Sequence, residues 1–142
     1  IREFIGEEYE HILIEKLRNM GIEHLSEDDL KEKGKDKTPD VYLQVPFGVR
    51  DEHVICWIDS KASFGDQKSH SRNLEQVRGY VDRYGPGLLI YWFGFVEGLE
   101  APPDVMISSS FPSRVHTPTC INRTASALEV QGGLFYDPMK KP

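Results

Sequence analysis

The sequence predicts an α/β domain with a mixed central β-sheet flanked by helices, and three features carry that expectation. His53 to Lys61 (HVICWIDSK) is a strand with apolar residues on both faces, which belongs at the centre of a sheet covered on both sides. Leu88 to Val96 (LLIYWFGFV) is a second uninterrupted apolar run. Two stretches, 1–20 and 69–84, carry apolar residues at helical spacing. Strands and helices interleaved in this way pack as layers around one sheet.

The first helix is expected from Ile1 to Met20. Ile5, Tyr9, Ile12, Leu13, Leu17 and Met20 fall on one stripe at about 100° per residue, and Gly21 supplies the stop. Of its acids, Glu10 lies at the edge of the buried stripe beside Leu13 and Leu17, Glu7 points to solvent, and Glu8 sits off the opposite edge. An edge glutamate is either solvated, paired with Lys16 or Arg18, or turned toward a site at the sheet end.

Ser26 followed by Glu27, Asp28 and Asp29 is the signature of a helix start, and a short helix is expected from Ser26 to Lys33, closed at Gly34. Lys31, Lys33, Lys35 and Lys37 then alternate with other residues, either as a solvated loop or as phosphate contacts beside a site. Val41 to Val45 alternates as a strand with Asp40 at its entrance, and Pro46 to Glu52 is expected as the turn into His53 to Lys61. Within the second strand, strict alternation puts Ile55, Trp57, Asp59 and Lys61 on one face and Val54, Cys56 and Ile58 on the other. A polar loop follows Phe64 and Gly65. The next helix is expected from about Ser69 to Tyr84, with Leu74, Val77, Val81 and Tyr84 toward the core and Gln76 and Tyr80 one turn apart on a neighbouring face. Gly85-Pro86-Gly87 ends it. Strands are expected at Leu88 to Val96 and Asp104 to Ser108, a loop at Pro112 to Pro118, and a last short helix at Thr124 to Val130.

With 142 residues, 39% of them hydrophobic and 28% charged, the chain suits one globular domain with a real core. It opens on Ile1 without a methionine and is expected to be the C-terminal part of a longer protein. No apolar run reaches membrane-span length and no signal-peptide pattern begins the chain, so a soluble intracellular protein is the default expectation. The cysteines, Cys56 in an apolar strand and Cys120 in a loop, form no CxxC pair and fit a reducing compartment. A net charge of −6 counts against coating nucleic acid nonspecifically, because such binding neutralises many phosphates with Lys and Arg. It does not exclude a nuclease, whose metal site must cluster carboxylates.

The hairpin brings the start of the first strand level with the end of the second, so Asp40, Asp59 and Lys61 meet at one sheet end. Charged groups there are costly unless used. Oxygen ligands for a hard cation, with a lysine near the developing charge, are what phosphodiester hydrolysis requires.

Thr38-Pro39-Asp40 followed by Ile58-Asp59-Ser60-Lys61 resembles the PD-(D/E)xK, restriction-endonuclease-like nucleases. Gly6, Glu10, Leu13, Leu17 and Gly21 are similar to the opening helix of archaeal Holliday-junction resolvases, and Gln76 with Tyr80 to the glutamine motif of the same superfamily. SKASFGD and GPGLLIYWFGF extend the resemblance, over nearly the whole chain, to the C-terminal half of the codanin-interacting nucleases. It implies a restriction-endonuclease-like core. Asp40 and Asp59 would bind Mg²⁺ or Mn²⁺ together with the Ser60 carbonyl, and Glu10, with Glu8 as rival, would complete the site. Lys61 would position the attacking water or stabilise the phosphate, Gln76 would steady Lys61 or touch the phosphate, and Tyr80 would support it. Asp59 stands where glutamate is more frequent, one methylene shorter, which makes the metal distance depend on Glu10.

Taken singly the motifs have plainer readings: Asp59 and Lys61 as a buried ion pair, Asp40 as a turn cap after Pro39. Zinc is disfavoured, since His116 with Cys120 and His53 with Cys56 lack closed ligand spacing. No glycine-flanked nucleophile serine, Walker motif or dinucleotide fingerprint is present. The expectation is a nuclear, metal-dependent nuclease domain that hydrolyses DNA, branched DNA included, by in-line attack of a metal-activated water. The alternative is a nuclease-fold module that acts through codanin.

Overall fold

The structure, a computed structural model, describes residues 2–116. The helix expected at Thr124 to Val130 and the loop thiol Cys120 lie outside the described residues. Eight elements follow in order: α1 (Arg2–Asn19), β1 (Leu25–Ser26), α2 (Glu27–Glu32), β2 (Val41–Val49), β3 (His53–Lys61), α3 (Gln67–Tyr84), β4 (Gly87–Tyr91) and β5 (Val105–Ser108). The strands form one sheet in the order β1-β2-β3-β4-β5. The first three run antiparallel to their neighbours, while β3, β4 and β5 are parallel, with α3 making the crossover from β3 to β4. The mixed sheet with β3 at its centre is the one expected from the two-sided apolar pattern of that strand.

Each face of the sheet has its own apolar layer. Leu13 and Leu17 of α1, both fully buried, pack on Val41, Leu43, Ile55, Ile58, Leu88 and Ile90. Burial of a leucine side chain contributes about 1.5–3 kcal/mol. On the opposite face Val77 and Tyr80 of α3 pack with Cys56, Trp57, Leu89 and Tyr91. No helix among the described residues is long and apolar enough to cross a membrane.

Several expectations are corrected by tertiary structure. The strand starting at Val41 runs on to Val49 instead of turning at Pro46. Between the pairs Tyr42↔Trp57 and Phe47↔Ile55 the register shifts, and this irregularity accommodates Pro46, which has no N–H to give the ladder. The turn is confined to Arg50–Glu52, with Arg50 and Asp51 at φ 56° and 63°. Opposite the shift, strict alternation in β3 also fails: Ile55 joins the α1 layer, whereas Cys56 and Trp57 both join the α3 layer. Met20, assigned to the buried stripe, is 41% exposed because α1 ends at Asn19 and the chain turns at Gly21.

Helix α3 begins at Gln67, two residues early, because Asp66 caps it by accepting from the Ser69 amide at 2.8 Å. Its buried residues are His70, Leu74, Val77 and Tyr80, so Tyr80 belongs to the core face while Val81 and Tyr84 are only half-buried. The apolar run from Leu88 leaves the sheet after Tyr91. Gly94 adopts φ 94° and its amide returns to the Tyr91 carbonyl at 3.0 Å, turning Trp92–Val96 across the end of the sheet. At Gly87 the requirement for glycine is steric: a Cβ there would lie 2.0 Å from Cε2 of the Trp57 indole. The two-residue β1 was not foreseen; it pairs Leu25 and Ser26 with Tyr42 and Val41.

Candidate active site

The site grows from one register. Val41 pairs with Ile58 across the antiparallel β2–β3 ladder, which brings Asp40, just before β2, level with Asp59 near the end of β3. Each aspartate is held by the other's strand. The Asp40 amide donates to Asp59 Oδ1 at 3.1 Å, and Asp40 Oδ2 accepts from the Ser60 amide at 2.9 Å and from Ser60 Oγ at 3.4 Å. Asp59 is buried, with 4% of its surface exposed, and its Oδ2 lies 3.1 Å from Lys61 Nζ. Lys61 also donates to Gln76 Oε1 at 2.8 Å, so β3 and α3 together fix the ammonium group.

Glu10 is an exposed residue of α1, yet it lines the same cleft as Asp40 and its carboxyl feels the charge of Asp59. Glu7 acts on Glu10 from further along the helix and is not among the residues lining that cleft. Tyr80 donates through its hydroxyl to the Thr38 carbonyl at 3.3 Å and packs edge-on against Trp57 at 5.2 Å, which supports the Thr38-Pro39-Asp40 turn from below. The Ser60 groups seen in contact with the site are its amide and hydroxyl.

Glu27 is the residue that sequence reasoning missed. It was read only as an acid in the first turn of α2, but Thr38 Oγ1 donates to its Oε2 at 3.4 Å and its charge acts on Glu10, Asp59 and Tyr80. A cleft of about 130 Å³ is lined by Glu10, Ser26, Glu27, Asp28 and Asp40 over a floor of Leu13 and Val41. No sequence pattern marks Glu27, because β1, the strand that lays α2 against the mouth of the site, is only two residues long. Of the alternating lysines, Lys31 is paired with Glu27 at 3.2 Å and Lys37 lies along α3 at Gly79.

Electrostatics follow from this crowding. Burial pushes the Asp40 carboxyl well above the usual carboxylate range, and the adjacent Asp59 pushes it further. Burial likewise raises Asp59, against the lowering effect of Lys61 and of the Asp40 amide. Glu10 is raised by burial and then by Glu27 and Asp59. Acids accumulate here, with Lys61 against Asp59 and Lys31 against Glu27. Such a donor set fits a hard divalent cation, which takes carboxylate oxygens and would relieve the repulsion. Among the described residues no group of three or more His, Cys, Asp or Glu side chains stands where it could hold a metal ion.

A family model described as "Protein of unknown function TPD sequence-motif" matches residues 1–111, a span that includes Glu10, Asp40, Asp59, Lys61 and Gln76. The chain belongs to the TPD sequence-motif family. TPD in this chain is Thr38-Pro39-Asp40, the turn held by Tyr80 and the Ser60 amide. Relatives carry the name "CDAN1-interacting nuclease 1". The protein of Xenopus laevis is 42% identical over 91% of this chain and 48% of its own length. That of Danio rerio is 46% identical over 81% and 39%, and that of Homo sapiens 44% identical over 82% and 42%. The chain therefore spans less than half the length of these relatives. No solved structure matches it.

Proposed function

We propose that this domain is a divalent-metal-dependent nuclease of the PD-(D/E)xK type that hydrolyses phosphodiester bonds in DNA. The observation that carries the proposal is the interlocked pair Asp40 and Asp59 at the sheet end, with Lys61 held between Asp59 and Gln76. The relatives' printed name, nuclease, supports the same reading.

Asp40 and Asp59, with Glu10 beside them, would hold Mg²⁺ or Mn²⁺, with the Ser60 carbonyl as a further oxygen. Bound there, the metal would make a water more acidic and offset charge on the leaving oxygen of an in-line displacement. The rest of the chemistry falls to the chain. Lys61 presents a cation at the reacting phosphate, where its charge counts most as negative charge develops. Gln76 holds the ammonium in that place, and Tyr80 with the Ser60 amide holds Asp40. Glu27 adds a further carboxylate at the cleft mouth.

The test is cleavage of linear, splayed-arm, flap and junction DNAs with Mg²⁺, Mn²⁺, Ca²⁺ or EDTA. Mg²⁺-dependent products that vanish in Asp40→Asn, with metal affinity lost in the same variant by calorimetry, are the expected result. Unchanged metal affinity in that variant would overturn the assignment.

A second reading is favoured by the other half of the relatives' name. The domain would be a nuclease-fold module that acts mainly by binding codanin, in the nucleus. Wild-type protein that cleaves none of these DNAs with any metal but captures codanin would decide for it.

A further inference from the structure

Beyond the acidic cleft the same end of the sheet carries an aromatic surface. Phe64 and Phe93 are 47% and 49% exposed, and they are the aromatic side chains among the four exposed large apolar residues of the described structure. Both sit on the chain just past the strands that build the site, three residues after Lys61 and two after Tyr91. The Trp92 amide donates to the Lys61 carbonyl at 3.0 Å and the Phe93 amide to the Ser63 carbonyl at 3.3 Å, so the two turns are laced together directly after the lysine. The Phe64 ring covers Gly94, where an added Cβ would be 3.7 Å away.

Behind them Tyr9 of α1 stacks on Trp92 at 5.3 Å and 29° and meets Phe93 edge-on at 5.5 Å. The residue after Tyr9 is Glu10, which lines the acidic cleft with Asp40 and by its charge raises the Asp40 carboxyl. The aromatic surface is thus tied to the acidic site from both sides, through Lys61 and through Glu10. Scattered exposed apolar residues need no explanation, but here two half-exposed rings lie on turns laced together beside the site, and one of them packs on the Tyr9–Trp92 pair through Tyr9. Exposed Lys68 and Arg72 follow in the first two turns of α3, which starts three residues after Phe64.

We propose that Phe93, braced by Tyr9, and Phe64, over the neighbouring Gly94, are a stacking ledge for an unpaired nucleobase next to the phosphate bound at Asp40, Asp59 and Lys61. This rests on the nuclease reading and deepens it, because it names the substrate class: DNA whose bases are single-stranded or splayed beside the cut. A base inside a duplex keeps its faces in its own stack, whereas an unpaired base offers a free π-face to an aromatic ring, and the exposed Lys68 and Arg72 at the start of α3 would meet the flanking backbone.

The test compares the full chain with Phe64→Ala/Phe93→Ala and Phe64→Leu/Phe93→Leu, after thermal melts establish that each variant is folded. The probes are short single-stranded DNAs with 2-aminopurine scanned through the sequence and a blunt duplex of the same sequence, in Ca²⁺ and in EDTA. Wild-type protein is expected to quench 2-aminopurine at one or two positions. Both double variants should lose the quench and bind single strands about 10-fold or more weakly, with duplex binding little changed. Leucine keeps apolar area without a π-face, so it separates stacking from greasy contact. Equal single-strand binding by the variants, absence of quenching at every position, or no binding of any oligonucleotide by wild type overturns the ledge. A variant that changes only sedimentation or codanin capture also overturns it, and assigns the face to a second copy or a protein partner. Mg²⁺-dependent cleavage without quenching rejects the ledge alone; quenching without cleavage rejects the nuclease reading and leaves the ledge.

Discussion

At the scale of single residues, Lys61 and Glu10 have different expected phenotypes. Lys61 makes two side-chain contacts, to Asp59 and Gln76, and its charge matters most when negative charge builds on the phosphate. Lys61→Ala is therefore expected to lower kcat by about 100-fold or more while metal and DNA affinity change little, since loss of one fixed electrostatic donor costs on that order. Single-turnover kinetics with parallel binding measurements would check it, and a variant affected only in KM would reject the role. Glu10→Gln should impair cleavage far more than Glu7→Gln, because Glu10, unlike Glu7, lines the cleft with Asp40. Equal activities of the two variants would remove Glu10 from the site.

At the scale of elements, the site depends on β3 holding its place between two layers. Trp57 is fully buried, donates through Nε1 to the Gly85 carbonyl at 2.7 Å, and lies flat on Gly87. The neighbouring backbone offers no side-chain end that swings away. Gly87→Ala forces Trp57 or β4 to shift, and overpacking of this kind costs about 1–3 kcal/mol. It is expected to lower the melting temperature by several degrees, and activity with it, since β4 pairs with Asp59 and Lys61 through Leu89 and Tyr91. A melting temperature equal to wild type would mean that the contact relaxes without cost. A second device ties α3 to β4. His70 Nε2 faces the Glu100 carbonyl, which only accepts, so Nε2 carries the proton; in the neutral ring, Nδ1 then accepts from the Tyr91 hydroxyl at 2.8 Å. Asn73 completes the set by donating to the same hydroxyl at 2.9 Å. These bonds set the helix that carries Gln76 against the strand beside Lys61.

At the scale of the whole molecule, the acidic cleft links stability to pH and, on the proposed function, to metal. Asp40, Asp59 and Glu10 all have raised folded-state pKa values, so the metal-free fold binds more protons than the unfolded chain. Their contribution is fully present below the ordinary carboxylate pKa and is lost as pH rises through the raised values. In EDTA the melting temperature is therefore expected to fall between acidic and mildly alkaline pH, and Asp40→Asn should flatten that slope. Mg²⁺ or Mn²⁺ should restore stability most at the alkaline end, where protons no longer compete for the carboxylates. Scanning calorimetry across pH with and without metal reads all three effects. A metal-induced shift that grows toward acid pH would contradict the donor set.

The sequence by itself determined the class of the fold and the order in which the site residues arrive. The two-sided apolar run at His53 to Lys61 marked a central strand, and a single chain reversal was enough to bring Asp40 level with Asp59 and Lys61, because antiparallel pairing is local. The end of α3 and the cap of α2 were equally legible, since Gly85-Pro86-Gly87 and Ser26 act through their own backbone. Tertiary structure decided what neighbours decide. Pro46 is a turn residue by local preference, but the β3 ladder absorbs it as an irregularity and carries β2 on to Val49. That same shift turned Trp57 to the α3 face against the period of the strand. Glu27 came to the cleft, and Phe64 and Phe93 to one surface, only when segments far apart in the chain had packed, and no spacing along the sequence encodes a distance across it.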